Sequence, residues 1–429
     1  MWTRDGWTRR RLLQVGMASA ALAATPWPMR RWNALAANAE PHFLVVMLAD
    51  GGWDPIQVLD VHDPLDNTDG VDVDVPQAIS GLPPSAPRTV AGLTYQSNPT
   101  TRPNVDLYFN AHAGRTTILN GFATHSTSHS QSTQLTLTGS LDPTRADFAV
   151  MSAHHNGVTL PLPHLLVSGS SFGGAYSGLS GRLGGQMRRV LEYSRLDDGH
   201  PAVSALGEAY VQQALEYERL LDEGAPPSAI SGKLPAAVDA KERADKLAQL
   251  ASTLNINSND GASLAASLAG AFRSGLTTSV TLNAAGGFDT HGDNTQQNAR
   301  WDGLFMLLNG FLTGLQAEPG IVRPNMLAET TVVVCSDFSR TPLLNNDNGK
   351  DHHPWGSMLL AGKRVRGGVT VGMTDDNQDG MKVNLATGNP SQAGIVPDVS
   401  NVVAGLVTLM GANASTYLPG VLPYTAFVA

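Results

Sequence analysis

The sequence predicts an α/β fold, with a mainly parallel central sheet, helices on both faces and a helical insertion. Two patterns carry that expectation. Short, continuous apolar runs, the first of them stopped by an acidic and glycine-rich segment, read as strands buried on both faces. Between two of them lies a long segment with helical periodicity, and strand, long helix, strand implies parallel pairing through a crossover.

The first run, Phe43 to Leu48, stops at Asp50-Gly51-Gly52. Thr116 to Leu119, Ser279 to Leu282 and Thr330 to Cys335 look alike, and Val332, Val333 and Val334 make the last the most strand-like. The intervening helix runs from Thr295 to Leu315, where Trp301, Phe305, Leu308 and Leu312 form one buried stripe. A closing helix, Val396 to Met410, is placed to cover the sheet from the far side. From about residue 175 to 275 the texture changes. Two amphipathic segments, one with Tyr210, Ala214, Tyr217 and Leu221 and one with Ala240, Ala244, Leu247 and Ala251, read as a helical cap inserted over the sheet.

Residues 1–39 stand outside this fold. Thr8-Arg9-Arg10-Arg11-Leu12-Leu13-Gln14 precedes the small, apolar run Val15 to Ala24, which is a basic region followed by a hydrophobic one. The arrangement resembles a twin-arginine export signal, implying bacterial export to the periplasm or beyond and the twin-arginine translocase as a transient partner. Pro26, Pro28, Arg30 and Arg31 cut the run short of the roughly 20 residues a permanent anchor needs. Ala34-Leu35-Ala36 and Ala37-Asn38-Ala39 offer cleavage sites, leaving one domain over 40–429. A formal charge of −9 excludes the concentrated positive potential of a nucleic-acid binder. Cys335, the sole cysteine, allows no internal disulfide and needs no redox role inside a buried strand.

In open parallel sheets, ligand sites lie outside the carboxyl ends of the strands. Asp50 and Asp337 follow two of these strands, Asp289 and His291 follow a third, and Asp351-His352-His353 lies shortly beyond Asp337. Carboxylates and imidazoles gathered at one edge suit a divalent metal such as zinc or manganese, one ion or two. Arg340 is positioned to clamp a phosphate, sulfate or carboxylate. Asp375 to Gly380 reads as a turn, because a calcium loop would need Glu where Ala386 stands. The acidic stretch from Asp60 to Asp74 reads as solvated loop.

Asp50-Gly51-Gly52 resembles the metal-binding Asp-Gly of the alkaline phosphatase-like superfamily, which includes sulfatases. Gly286-Gly287-Phe288-Asp289-Thr290-His291, the segment 333–342 with Ser336-Asp337 and Arg340-Thr341-Pro342, and Asp351-His352-His353-Pro354 resemble an exported bacterial family known as domain of unknown function 1501. The resemblance implies an alkaline phosphatase-like fold and a metal-dependent hydrolase acting on a small-molecule phosphate or sulfate ester. The superfamily's nucleophile sits at a helix N-terminus, ten residues before a glycine like that of Thr138-Gly139. That count lands on His129, flanked by Ser128 and Ser130. Superfamily members also follow the last strand with Asp-His, where this chain has Asp337-Phe338, and pair Asp-x-x-x-His, where it has Asp289-x-His291. His352 or His353 supplies the remaining imidazole, oriented by Asp351. These departures leave a second expectation open: a secreted binding or scaffold protein, with a protein or glycan partner, that keeps the fold and a degenerate metal site.

Overall fold

A computed structural model describes residues 40–62, 85–158, 160–183 and 260–429. The two amphipathic segments around Tyr210 and Ala240 lie outside the described residues, as do residues 1–39, and the described ends of the expected cap belong to the main fold instead, Ser180–Arg182 as a strand of the sheet and Gly261–Arg273 as a helix in its core.

Strand β1 (Phe43–Ala49) is buried throughout. After it come the hairpin β2 (Ala86–Val90) and β3 (Leu93–Ser97), helix α1 (Pro103–His112), β4 (Thr116–Ala123), α2 (His129–Thr138) and α3 (Phe148–Gly157). Two short strands, β5 (His164–Leu166) and β6 (Ser180–Arg182), precede α4 (Gly261–Arg273), β7 (Ser279–Ala285), α5 (Gln296–Ala317) and β8 (Thr330–Ser336). The chain closes with β9 (Ser339–Arg340), β10 (His352–His353), β11 (Trp355–Gly362), β12 (Val369–Val371), α6 (Val399–Leu409) and α7 (Ala414–Tyr417).

Among the described residues, eight strands form one sheet in the order β12-β4-β11-β8-β1-β7-β5-β6. Of these eight, only β11 runs against its neighbours. The expectation of an α/β fold holds, with a mixed sheet. β7 and β8 are parallel as read from sequence, yet they do not pair with each other, because β1 lies between them and bonds to both.

Period-two alternation sends the residues of β1 into two cores. Val45 and Met47 join α1, α4 and α5 on one face, whereas Leu44, Val46 and Leu48 join α3 and α6 on the other. Trp301, Phe305, Leu308 and Leu312 of α5 are all buried in the first core, as the stripe requires, and α6 covers the far side. Burying one Val or Leu stabilises by about 1.5–3 kcal/mol, against roughly 0.2–1 kcal/mol for an exposed ion pair such as Arg273–Glu318. Burial therefore holds the sheet together.

Some boundaries move for local reasons. Helix α6 starts three residues later than read, because Asp398 caps it and exchanges hydrogen bonds with Asn401. Asp375 to Asp379 is a turn, with Asp375 Oδ1 accepting the amides of Asn377 and Asp379. Asp60 departs from solvated loop: it is buried and accepts the Thr374 hydroxyl at 2.6 Å. Cys335 is buried in β8, and burial pushes its thiol up to about 12.

Candidate metal centre

The parallel strands β1, β4, β7 and β8 all point their carboxyl ends at one edge, so the segments after them converge. β11 runs the other way, which brings its leading residues, and His352 just before it, to the same edge.

After β1 the chain turns through Gly51 (φ +113°) and Gly52 (φ +73°). Both positions demand glycine. A Cβ on Gly51 would lie 2.6 Å from the Asp289 backbone nitrogen, and one on Gly52 would lie 2.5 Å from the Phe338 ring. The tight approach lets Gly52 N donate to Asp337 Oδ1 at 2.7 Å. After β7, Phe288 and Thr290 are buried while Asp289 and His291 are exposed. Residues two apart in extended backbone share a side, so Asp289-x-His291 aims both side chains at the site where a helix would need three intervening residues.

Asp289 is the hub. Its Oδ1 lies 3.1 Å from His291 Nε2 and 3.3 Å from His352 Nε2, and its Oδ2 lies 3.5 Å from His129 Nε2. Ligand atoms of His129, Asp289 and His352 all lie within 4.8 Å of one another. Each imidazole is held from behind. His129 Nδ1 donates to Asp337 Oδ2 at 2.5 Å, His291 Nδ1 to Asp351 Oδ1 at 3.0 Å, and His352 Nδ1 to the Thr127 carbonyl at 2.7 Å. Carbonyls and carboxylates only accept, so each Nδ1 donates and each ring turns its Nε2 toward the cluster. The Nε2 atoms of His291 and His352 are 2.9 Å apart. A proton or a metal ion shared by the two rings accounts for that approach, and imidazole with carboxylate is a donor set that fits a divalent metal.

Electrostatics agree. Burial works against the charge of Asp289, yet hydrogen bonds from Arg340 and His352 outweigh it and hold its carboxyl at about 2. Asp337, through its hydrogen bond, raises His129 above the ordinary histidine range. Burial, together with the charges of Asp337 and Asp289, raises Asp50.

Most of the expected residues converge, and several change role. Asp50 lies beside His129 but is not one of the converging ligands. His353 is not brought in: successive residues of β10 face opposite ways, and its Nε2 lies 3.4 Å from Asp379 Oδ1. Asp351 orients His291 rather than His352. Arg340 is fully buried and is no free anion clamp. It donates to the carbonyls of Gly51, Gly52 and Lys350, and reaches Asp289 Oδ1 at 2.7 Å. Ser128 occupies the cap position before α2 but makes no capping bond, and His129, the first helical residue, faces the cluster in its place. Phe338, where a second metal ligand was expected, packs its ring against His129 and His352 at 4.7 and 4.3 Å.

The sequence reading missed the support beneath. Gln297 takes the Asp54 amide on its Oε1 and donates to the Phe288 carbonyl, tying the loops after β1 and β7. Fully buried Lys350 pairs with equally buried Asp54 at 3.0 Å. A signal for Gln297 exists: it stands four residues before Trp301, a polar residue in phase with an apolar stripe.

No curated protein matches the chain. A model of the family described as Protein of unknown function (DUF1501) matches residues 208–387, the stretch carrying Asp289, His291, Asp337, Arg340 and His352, and this match supports the resemblance to that family.

Proposed function

We propose that the protein is an exported, metal-dependent hydrolase of phosphate or sulfate esters in the alkaline phosphatase-like superfamily. The observation that supports this reading is the convergence of three imidazole Nε2 atoms on Asp289, each ring fixed from behind by an acceptor. Asp289, His291 and His352 would hold one zinc or manganese ion, leaving an open position as hydrolytic sites do. When bound, the ion would withdraw charge from the ester and lower the pKa of water.

The remaining work falls to the chain's own residues. Asp337 holds the Nδ1 proton of His129, so Nε2 can accept a proton from the attacking water and return it to the departing alcohol. The new bond joins the water oxygen to phosphorus or sulfur, and the bond to the alcohol oxygen breaks. Asp337 is itself fixed by the Gly52 amide, and Arg340 fixes Asp289. Phe338 stands where superfamily members carry a histidine and packs on two of the imidazoles without offering a ligand atom, which favours a single-metal site. The imidazole in the nucleophile slot also suits the rival reading, a scaffold that binds metal without turnover.

Three preparations separate the two readings. Wild type is expected to carry about one equivalent of metal and to cleave an aryl phosphate or sulfate. His291→Ala is expected to lose the metal with little change in melting temperature. His129→Ala is expected to keep the metal and lose about a hundredfold or more in kcat. Metal without turnover in wild type leaves the scaffold reading, and no metal after metal-replete expression removes the metal-dependent hydrolase and leaves a binding or scaffold protein with a degenerate site ahead.

A further inference from the structure

A cavity of about 390 Å³ opens beside the centre. Asp50 and His129 belong to its wall as well as to the site, so a group leaving the reacting atom on that side enters it. Ser130, Thr133 and Gln134 of α2, spaced three and four apart, face the cavity together. Ser170 and the half-buried Phe172 come from the loop after β5.

This lining is hydroxyl, amide and carboxylate with the His129 imidazole and one phenyl ring, and none of the described lining residues is Lys or Arg. The buried cations near the centre are engaged elsewhere, Arg340 with backbone carbonyls and Asp289, and Lys350 with Asp54. An anionic alcohol would face the carboxyl group of Asp50, while the one basic ring in the lining, His129, is already paired with Asp337 and Asp289. An apolar alcohol would strip water from the polar groups without replacing their hydrogen bonds. A polyol satisfies both conditions: each hydroxyl donates and accepts, and the C–H face of a sugar ring packs on Phe172.

We infer that the cavity receives the alcohol portion of the ester and that this portion is an uncharged carbohydrate. The inference rests on the ester-hydrolase reading but is tested apart from it. Saturation-transfer NMR on the metal-loaded protein, with methyl glucoside, galactoside and mannoside as probes, reads binding directly. Parallel assays compare a sugar 6-phosphate and 6-sulfate with the corresponding aryl esters.

At least one glycoside is expected to bind. The double variant Gln134→Ala/Ser170→Ala is expected to weaken that binding tenfold or more and to lower the ratio of sugar-ester to aryl-ester kcat/KM by a similar factor, with metal content unchanged. No bound glycoside while metal is present, or binding untouched by the double variant, overturns the inference. Glycoside binding with no ester turned over removes the hydrolase reading and keeps the groove. Aryl-ester turnover without glycoside recognition does the reverse.

Discussion

His42 stands just before β1, far from the candidate centre, and titrates in a way the fold makes costly. Its Nε2 bonds to the Thr331 hydroxyl at 2.8 Å, its Nδ1 is buried among the described residues without a partner, and burial lowers its pKa to about 3. Unfolded chain takes up this proton near pH 6.5 and folded chain does not, so stability falls as pH drops through the interval between the two values. At pH 5 the deficit is about 2 kcal/mol relative to neutral pH. Urea melts at pH 7 and pH 5 should show that loss in wild type and most of it abolished in His42→Gln; identical pH dependence in both would mean the buried neutral histidine contributes nothing. Lys350 and Asp54 invite a second test, because removing one partner strands the other charge in the core. Lys350→Met is expected to cost about 3–5 kcal/mol, and Asp54→Asn on top of it should restore part of that. A neutral Lys350→Met would show that Asp54 is protonated or hydrated.

Elements decide which residues were readable in advance. Asp289, His291, Asp337 and His352 were legible because an apolar run followed by a polar residue marks a strand end, and parallel strands share one functional edge. His353 was misplaced because nothing in Asp351-His352-His353 reveals that β10 turns alternate residues to opposite sides. The burial of Arg340 depends on the carbonyls of Gly51 and Gly52, which arrive from a distant part of the chain that spacing alone does not bring close. The same turn gives a prediction about the loop. Gly51→Ala forces a side chain into a positive-φ site against the backbone at Asp289. It is expected to cost about 2–4 kcal/mol and to weaken metal retention, since Asp289 must shift. A variant with normal melting temperature and metal content would show that this approach is slack.

At the scale of the whole molecule, the sheet order ties the fold to the proposed route of export. Replacing Arg9 and Arg10 by Lys should hold the precursor in the cytoplasm, as cell fractionation would reveal; an unchanged periplasmic yield removes the twin-arginine proposal. The ordering of strands has a consequence for synthesis. Leu44 of β1 pairs with Ser279 on one side and Thr331 on the other, so a strand at the middle of the sheet is translated long before either of its partners. At about 5–20 residues per second, β1 waits roughly fifteen seconds to a minute for both neighbours. Throughout that interval the nascent chain carries Phe-Leu-Val-Val-Met-Leu-Ala with two open edges, a segment prone to pair with any other strand it meets. A chain stalled or truncated before β8 keeps one of those edges bare, so its fate is aggregation or capture by a chaperone. Threading the polypeptide outward while it is still being made would carry that bare strand across unpartnered, whereas a route that accepts only finished proteins lets the last strands close over the first before transit.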